Sequence, residues 1–237
     1  MIIKYSDVRQ HILDTAKTII LGRGFSAVGL NQVLSAADVP KGSFYHYFKS
    51  KDAFGEALLD SYFCDYLARL DSLLTQPDAS AAQNMMLYWT LWLETQASDD
   101  LEGKCLVVKL GGEVSDLSEA MRAALQRGTD SVIARLAACI QRGVLDGSLR
   151  DIGDPGNVAQ TLYGMWLGAT LLTKMRRDRS ALEGAMEETR KLLNLAPPTS
   201  TTATATIAVT TAATPAAPRL PTLTSFTSDE EKSCQTS

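Results

Sequence analysis

Cysteine and histidine are scarce in this chain of 237 residues. The two histidines are His11 and His46, and the four cysteines are widely spaced, with no CxxC pair among Cys64, Cys105, Cys139 and Cys234. A zinc site built from these two residue types therefore has little material. We expect free thiols, as in a reducing cytoplasm.

Long apolar runs are missing too. No stretch reaches the roughly 18 uncharged apolar residues that a membrane-spanning helix needs. Residues 1–10 lack the cationic region, apolar run and small-residue cleavage site of a secretory signal peptide. The sequence therefore predicts a cytoplasmic protein with no membrane partner.

Catalytic motifs are also absent. The chain has no Gly-rich phosphate loop, no HExxH and no GxSxG. Two histidines leave little for acid–base catalysis. We predict a protein that is not an enzyme and that uses no cofactor or metal.

Helical periodicity is what the sequence does contain. Nearly everything up to Asn194 has the apolar spacing of amphipathic helices, and no segment alternates as a strand would. Ser50, Ser118 and the pair Asp154–Pro155 stand where helix starts are expected. From Pro197 the chain is rich in Thr, Ala, Ser and Pro, with few large apolar residues. We predict an all-α fold followed by a disordered low-complexity tail, 197–237.

Charge is unevenly spread along the chain. Residues 1–51 carry seven basic and three acidic side chains, whereas the remainder carries 16 basic and 24 acidic ones. A small basic head on an acidic body indicates a polyanionic partner for the head, although solvated surfaces alone could also produce this distribution.

The segment VPKGSFYHYFKSKDAF, residues 39–54, combines aromatic rings with lysines inside that basic head. Phe44 and Phe48 are spaced i, i+4 and can anchor a short helix, which turns the other rings outward. Such a helix suits the DNA major groove, with tyrosines and lysines on phosphates and with Lys41, Ser43 and His46 at base edges. The predicted DNA contacts are Lys41, Gly42, Ser43, Tyr45, His46, Tyr47, Lys49 and Lys51.

Residues 8–58, and above all GLNQVLSAADVPKGSFYHYFKSKDAF, resemble the helix-turn-helix region of the tetracycline-repressor (TetR) family. Two positions depart from the family pattern: Gly29 replaces a frequent capping threonine, and Asp38 replaces a frequent turn glycine. Asp tolerates left-handed backbone, so we expect the turn to form. The resemblance implies a homodimer on double-stranded operator DNA. It divides the chain into a helix-turn-helix domain (1–51), a helical effector-sensing and dimerisation domain (52–196) and the tail.

GKCLVVKLGGEVSDLSEAMR, residues 103–122, is the second informative stretch. Cys105 stands at an expected helix start, beside Lys104 and one turn before Lys109, a setting that lowers a thiol's pKa. The alternative is an inert buried cysteine. This stretch resembles the N-ethylmaleimide reductase repressor subgroup of the TetR family, whose members respond to electrophiles or oxidants through cysteine. The resemblance implies that Cys105 is the sensor, while Cys64 and Cys139 lie in core patterns.

Two further residues complete the predicted sensing set. Trp166, with Trp89, Trp92 and Tyr163, either lines an effector pocket or packs as core. Lys174 either extends from the bundle into solvent or faces the thiol. The leading hypothesis is a repressor released by an electrophile or oxidant. The alternatives are a repressor with a noncovalent small-molecule ligand and a helical interaction protein without DNA binding.

Overall fold

The computed structural model describes residues 5–100, 103–150 and 152–195, with side chains from Val8 onward. Within these ranges the chain is helical and has no strand, which confirms the all-α prediction. The helices are α1 (Tyr5–Arg23), α2 (Leu30–Ala36), a 3-10 turn (Lys41–Ser43), α3 (Phe44–Tyr47), α4 (Lys51–Leu74), α5 (Ala81–Ala97), α6 (Leu106–Ser115), α7 (Glu119–Leu145), α8 (Pro155–Arg176) and α9 (Ser180–Leu192). The predicted tail, with Cys234, lies outside the described residues.

Short polar side chains begin the long helices, as their sequence signals predict. The Ser50 hydroxyl accepts a hydrogen bond from the Ala53 N–H at the start of α4. Ser118 caps α7, and Asp154 caps α8, where Pro155 takes the first helical position. Each cap satisfies N–H groups that a helix start leaves unpaired. The three predicted starts are therefore confirmed.

Aromatic rings form the core of the head, which we define as α1 to α3. The rings of Phe44 and Phe48 lie 5.4 Å apart, and both pack edge-on against Phe54 of α4. Phe48 is the residue after α3 and has extended backbone, yet it is buried like Phe44. The predicted anchoring is confirmed, and it turns Tyr45 outward.

The turns of the head use left-handed backbone at two positions. Gly24 ends α1 with φ of +90°, and Asp38 follows α2 with φ of +53°. Gly accepts this conformation without a Cβ penalty, and Asp accepts it better than most residues. The turn predicted to survive at Asp38 therefore forms. Gly29, the other departure from the family pattern, precedes α2 without any side-chain cap.

Helix α4 leaves the head and packs along α7 in the body, which we define as α5 to α9. The two helices approach closely where Gly128 of α7 meets Phe63 of α4, since a Cβ at Gly128 would overlap the ring.

No helix in the described ranges has the length and apolar character to cross a membrane. No group of three or more described His, Cys, Asp or Glu residues could hold a metal ion.

Candidate DNA-binding surface and thiol site

The residues predicted to contact DNA cluster on the reading segment, Lys41–Tyr47, and on the two lysines that follow it. Tyr45 is 72% exposed although it is aromatic. Four others are exposed, namely Lys41, Gly42, His46 and Lys49, and three are half-buried, namely Ser43, Tyr47 and Lys51. The Tyr47 ring lies edge-on to the His46 ring, 5.3 Å away. An exposed aromatic surface with flanking cations has the chemistry of a DNA-reading helix.

Two cations rest on rings of the head core. The Lys51 ammonium lies 5.0 Å from the centre of the Phe25 ring, and the Arg9 guanidinium lies 5.2 Å from that of Phe48. Such cation–π contacts hold a cation in place while it stays partly solvated. Arg9 was not among the sequence-predicted contacts, because nothing in the sequence except its charge marks it.

A groove of about 330 Å³ separates α2 from the reading segment. Its walls are formed by Gly29, Leu30, Asn31, Leu34, Lys41, Phe44 and Tyr45. Asn31 is exposed at the start of α2, where no side chain caps the helix. Unpaired N–H groups at a helix start favour anions, so this edge suits a phosphate of the DNA backbone.

Cys105 is the residue that precedes α6, as predicted, but its side chain is only 7% exposed. Its N–H donates to the Gln96 side-chain oxygen of α5, at 3.1 Å. Burial raises the pKa of the Cys105 thiol above its ordinary value. Hydrogen bonds from the Val107 and Val108 N–H groups and from Tyr62 act in the opposite direction without offsetting it. The predicted lowering of the pKa is therefore wrong, because burial outweighs the helix start.

Phenol groups surround the thiol, an arrangement that the sequence analysis did not predict, since it named only Tyr163 among them, as a pocket or core residue. Burial raises the pKa values of Tyr62, Tyr66 and Tyr163, and a charge on Cys105 would raise them further. The hydroxyls of Tyr66 and Tyr88 are 2.6 Å apart. These rings come from three different helices, so no local motif announces them.

The lysines expected beside the thiol bind elsewhere. The Lys104 ammonium donates to the carbonyls of Thr95 and Gln96, at 3.1 and 2.8 Å, and so caps the end of α5. The Lys109 ammonium donates to the Gly22 carbonyl of the head, at 3.2 Å. Lys174 lies on the surface and is exposed overall. The protein around its ammonium still removes part of its hydration, and this effect, followed by the charge of Lys109, lowers its pKa. The three amines thus share one neighbourhood near the start of α6.

Trp166 lies inside the body rather than at an open pocket. It is fully buried and stacks on Trp89, with ring centres 4.8 Å apart and planes 12° apart. Its indole N–H donates to the Thr189 hydroxyl of α9, at 2.8 Å. A filled stack with a satisfied N–H supports a packing role. Of the other cysteines, Cys139 is fully buried, as predicted, and is a free thiol like Cys105, whereas Cys64 is half-buried.

Comparisons with known proteins identify both halves of this architecture. Residues 12–58 match the family described as bacterial regulatory proteins, tetR family, and residues 82–189 match the tetracyclin repressor-like C-terminal domain. The HTH-type transcriptional repressor NemR of Escherichia coli K12 is 40% identical over 187 residues, which cover 79% of this chain and 94% of NemR.

A second relative and a solved structure are also similar to this chain. The transcriptional repressor DhaR of a Mycobacterium species is 33% identical over 177 residues, which cover 74% of this chain and 87% of DhaR. The crystal structure of reduced E. coli NemR superposes with a TM-score of 0.74 at 41% identity. The match covers 81% of this chain and 99% of that one.

The chain belongs to the TetR family.

TetR regulators bind operator DNA and act as dimers, and this chain is a transcriptional repressor of that family, close to NemR. The family's helix-turn-helix match ends at residue 58, inside α4, so the reading segment and both flanking lysines fall within it. Cys105, Lys109, Trp166 and Lys174 all fall within the C-terminal domain match. The predicted DNA contacts therefore lie in the helix-turn-helix match, and the predicted sensing residues lie in the C-terminal domain match.

Proposed function

We propose that this TetR-family repressor binds a near-palindromic operator as a homodimer and leaves it when a reactive electrophile or oxidant modifies Cys105. The observation that carries the proposal is a free thiol, enclosed by tyrosines, at the residue that precedes α6. A small apolar thiol suits this filled site. A bulkier or charged product does not, and close-packed helices accommodate such a change by shifting to another arrangement.

The raised pKa shapes the chemistry of this sensor. Burial keeps the thiol neutral, which protects it from slow nonspecific oxidation. Hydrogen bonds from the first turn of α6 and from Tyr62 favour the thiolate, so a small reagent that enters meets groups able to stabilise it. In one version hypochlorite first converts the thiol to a sulfenyl chloride, and a neutral amine, that of either Lys174 or Lys109, then displaces chloride and loses a proton to form an S–N bond. The lowered pKa of Lys174 favours its neutral, nucleophilic amine.

The direct test is operator release. Wild-type protein should leave its operator after treatment with N-ethylmaleimide, methylglyoxal or hypochlorite, and Cys105→Ser protein should remain bound. Unchanged release by the serine variant would move the sensor elsewhere.

A noncovalent ligand in the aromatic body is the second candidate. The Trp89 indole N–H and the Thr173 hydroxyl are buried without a hydrogen-bond partner among the described residues. Unpaired buried polar groups are unfavourable, and a polar ligand could satisfy them. With such a ligand, Cys105→Ser protein should keep the full response.

Within the reading surface, Lys51 and Lys41 should behave differently. Lys51→Ala should weaken binding about equally on all sequences and reduce the salt slope by about one phosphate contact, because phosphates carry no base information. Lys41→Ala should instead relax the base preference at one operator position. Binding measured at several salt concentrations, together with selection from randomised operators, separates the two. Unaltered base preference in Lys41→Ala would reject its base-reading role.

The dimer should form through α8 and α9, which carry exposed apolar side chains: Leu171, Leu172, Met175 and Leu192. Met175 is 63% exposed, so Met175→Glu would place a charge in the proposed contact. We expect its dimer dissociation constant to rise by about a hundredfold, equivalent to about 2.7 kcal/mol. Light scattering at micromolar concentration measures this.

Leu145 of α7, which is 81% exposed and lies outside these two helices, supplies the matched control. Leu145→Glu should leave the dimer intact. A wild-type monomer, or equal effects of the two substitutions, would contradict the proposed dimer surface.

A further inference from the structure

Glu113 of α6 binds the backbone of the head. One carboxylate oxygen accepts the Ser26 N–H at 2.6 Å, and the other accepts the Phe25 N–H at 3.2 Å. These N–H groups follow Gly24, where the left-handed backbone has just ended α1. A single side chain from the body thus supplies acceptors for two successive donors of the turn. The paired geometry uses both oxygens of a carboxylate.

Lys109 binds the same part of the head with the opposite charge. Its ammonium donates to the carbonyl of Gly22, in the last turn of α1. Carbonyls at a helix end lack partners within the helix and carry partial negative charge, so a cation is favourable there. Lys109 and Glu113 are spaced i, i+4 and share a face of α6. The cation meets the helix end, and the anion meets the N–H groups beyond it.

The surroundings of Glu113 also lower the pKa of its carboxyl group. Burial opposes the charge of Glu113, but the hydrogen bonds from Ser26 and Phe25 and the charge of Lys109 outweigh it and lower the pKa of Glu113. The carboxylate is therefore ionised at neutral pH. Glu113 and Lys109 are both half-buried, so solvent screens their charges less than those of fully exposed groups.

Helix α6 connects this contact to the thiol over a short distance. Cys105 precedes the helix, and Lys109 and Glu113 lie one and two turns further along. The adjoining face of α6 is fixed in the body by the fully buried side chains Leu106, Leu110 and Val114. Because a single helix carries the thiol, the core anchors and the head contacts, a displacement at its start is transmitted to the head.

We propose that Glu113 and Lys109 form a latch through which α6 holds the end of α1 and so sets the orientation of the head. The latch connects the body directly to the end of α1. This connection is additional to the one that the continuous helix α4 provides. The identity of the signal rests on the proposed function, but the mechanical link does not. Glu113 and Lys109 are positioning residues, since neither lies on the reading segment.

Amide hydrogen exchange tests whether the latch forms in solution. Glu113→Gln keeps the side-chain shape but offers one acceptor oxygen in place of two. We expect faster exchange at the Phe25 and Ser26 amides, with little change in the core of α4. Glu119→Gln is the matched control, because Glu119 pairs with Arg122 inside α7 and does not contact the head. Unchanged exchange in Glu113→Gln would overturn the latch.

The rate at which N-ethylmaleimide labels Cys105 tests the link between head and body. The rate is read by peptide mass spectrometry, with and without a DNA duplex that the wild-type protein has selected from a random library. Fixing the head on DNA should hold α6 still and slow labelling of the wild-type protein by about fivefold or more, the lower end of usual coupling. In Glu113→Ala, with DNA at saturating concentration, the two rates should become equal. Glu119→Ala should behave like wild type.

The outcomes separate this inference from the proposed function. If Glu113→Ala keeps the DNA-dependent labelling, or if DNA never alters the wild-type rate, the latch is wrong. If the latch variants behave as expected but fully labelled wild-type protein stays on its operator, the latch stands and the proposed cysteine response is wrong. Lys109→Met, which keeps the apolar stem, should reduce the DNA effect in the same direction as Glu113→Ala.

Discussion

Trp166→Ala protein should be less stable than wild type by about 3–5 kcal/mol in its free energy of unfolding, as measured by urea denaturation. The substitution removes a fully enclosed indole and its stack on Trp89. It also removes the hydrogen bond to Thr189, which joins α8 to α9. The cavity left behind cannot collapse easily, because rigid rings surround it on several sides.

Trp166→Phe is the control for this prediction. It keeps an aromatic ring against Trp89 and loses the N–H, so we expect a smaller loss of about 1–2 kcal/mol. The pair also distinguishes the two roles first considered for Trp166. A loss below about 1 kcal/mol in the alanine variant, with a weakened effector response, would make Trp166 a pocket wall rather than core.

Helix starts were predictable because their causes are local. Ser50, Ser118 and Asp154 each bond to N–H groups two or three residues ahead, so the relevant pattern fits in a short window. The anchoring of Phe44 and Phe48 was predictable for the same reason, since i, i+4 spacing alone places them together. The outward orientation of Tyr45 then followed from the anchoring.

The pKa of Cys105 was not predictable because it depends on tertiary contacts. The sequence places Lys104 next to the cysteine, but the Lys104 side chain turns back to the carbonyls of α5. Gln96 and Tyr62, which contact the thiol or its backbone, come from other helices. Sequence proximity therefore led us to overestimate the effect of the lysines on the pKa of Cys105, and it gave no information on the burial of the thiol.

The latch was invisible in the sequence for a related reason. Glu113 and Phe25 are 88 residues apart, and neither belongs to a motif. Only the packing of α6 against the end of α1 brings them together. Side chains that join two parts of a molecule are found from coordinates rather than from spacing.

Modification of Cys105 should weaken operator binding by about a hundredfold, whereas Cys105→Ser protein treated in the same way should keep its affinity within about threefold. A hundredfold change needs about 2.7 kcal/mol of differential stability, which is within the usual range of coupling between sites. This difference in free energy comes from packing, because the thiol is enclosed and the group added to it must displace tyrosines or the start of α6.

Two controls define which version of the chemistry operates. Cys139 is a second buried free thiol whose pKa is raised by burial, so Cys139→Ser should respond like wild type. Lys174→Ala should lose only the hypochlorite response if the thiol–amine bond forms. It should keep the N-ethylmaleimide response, which needs no amine.

The most direct measurement follows both quantities in one sample. Fluorescence anisotropy reports the fraction of operator bound, and mass spectrometry reports the fraction of Cys105 modified, across a titration with N-ethylmaleimide. The account predicts that release follows Cys105 modification in wild-type and Cys139→Ser protein and is absent in Cys105→Ser. Release that proceeds in Cys105→Ser at the same dose, or wild-type protein that stays bound with Cys105 fully modified, would contradict it.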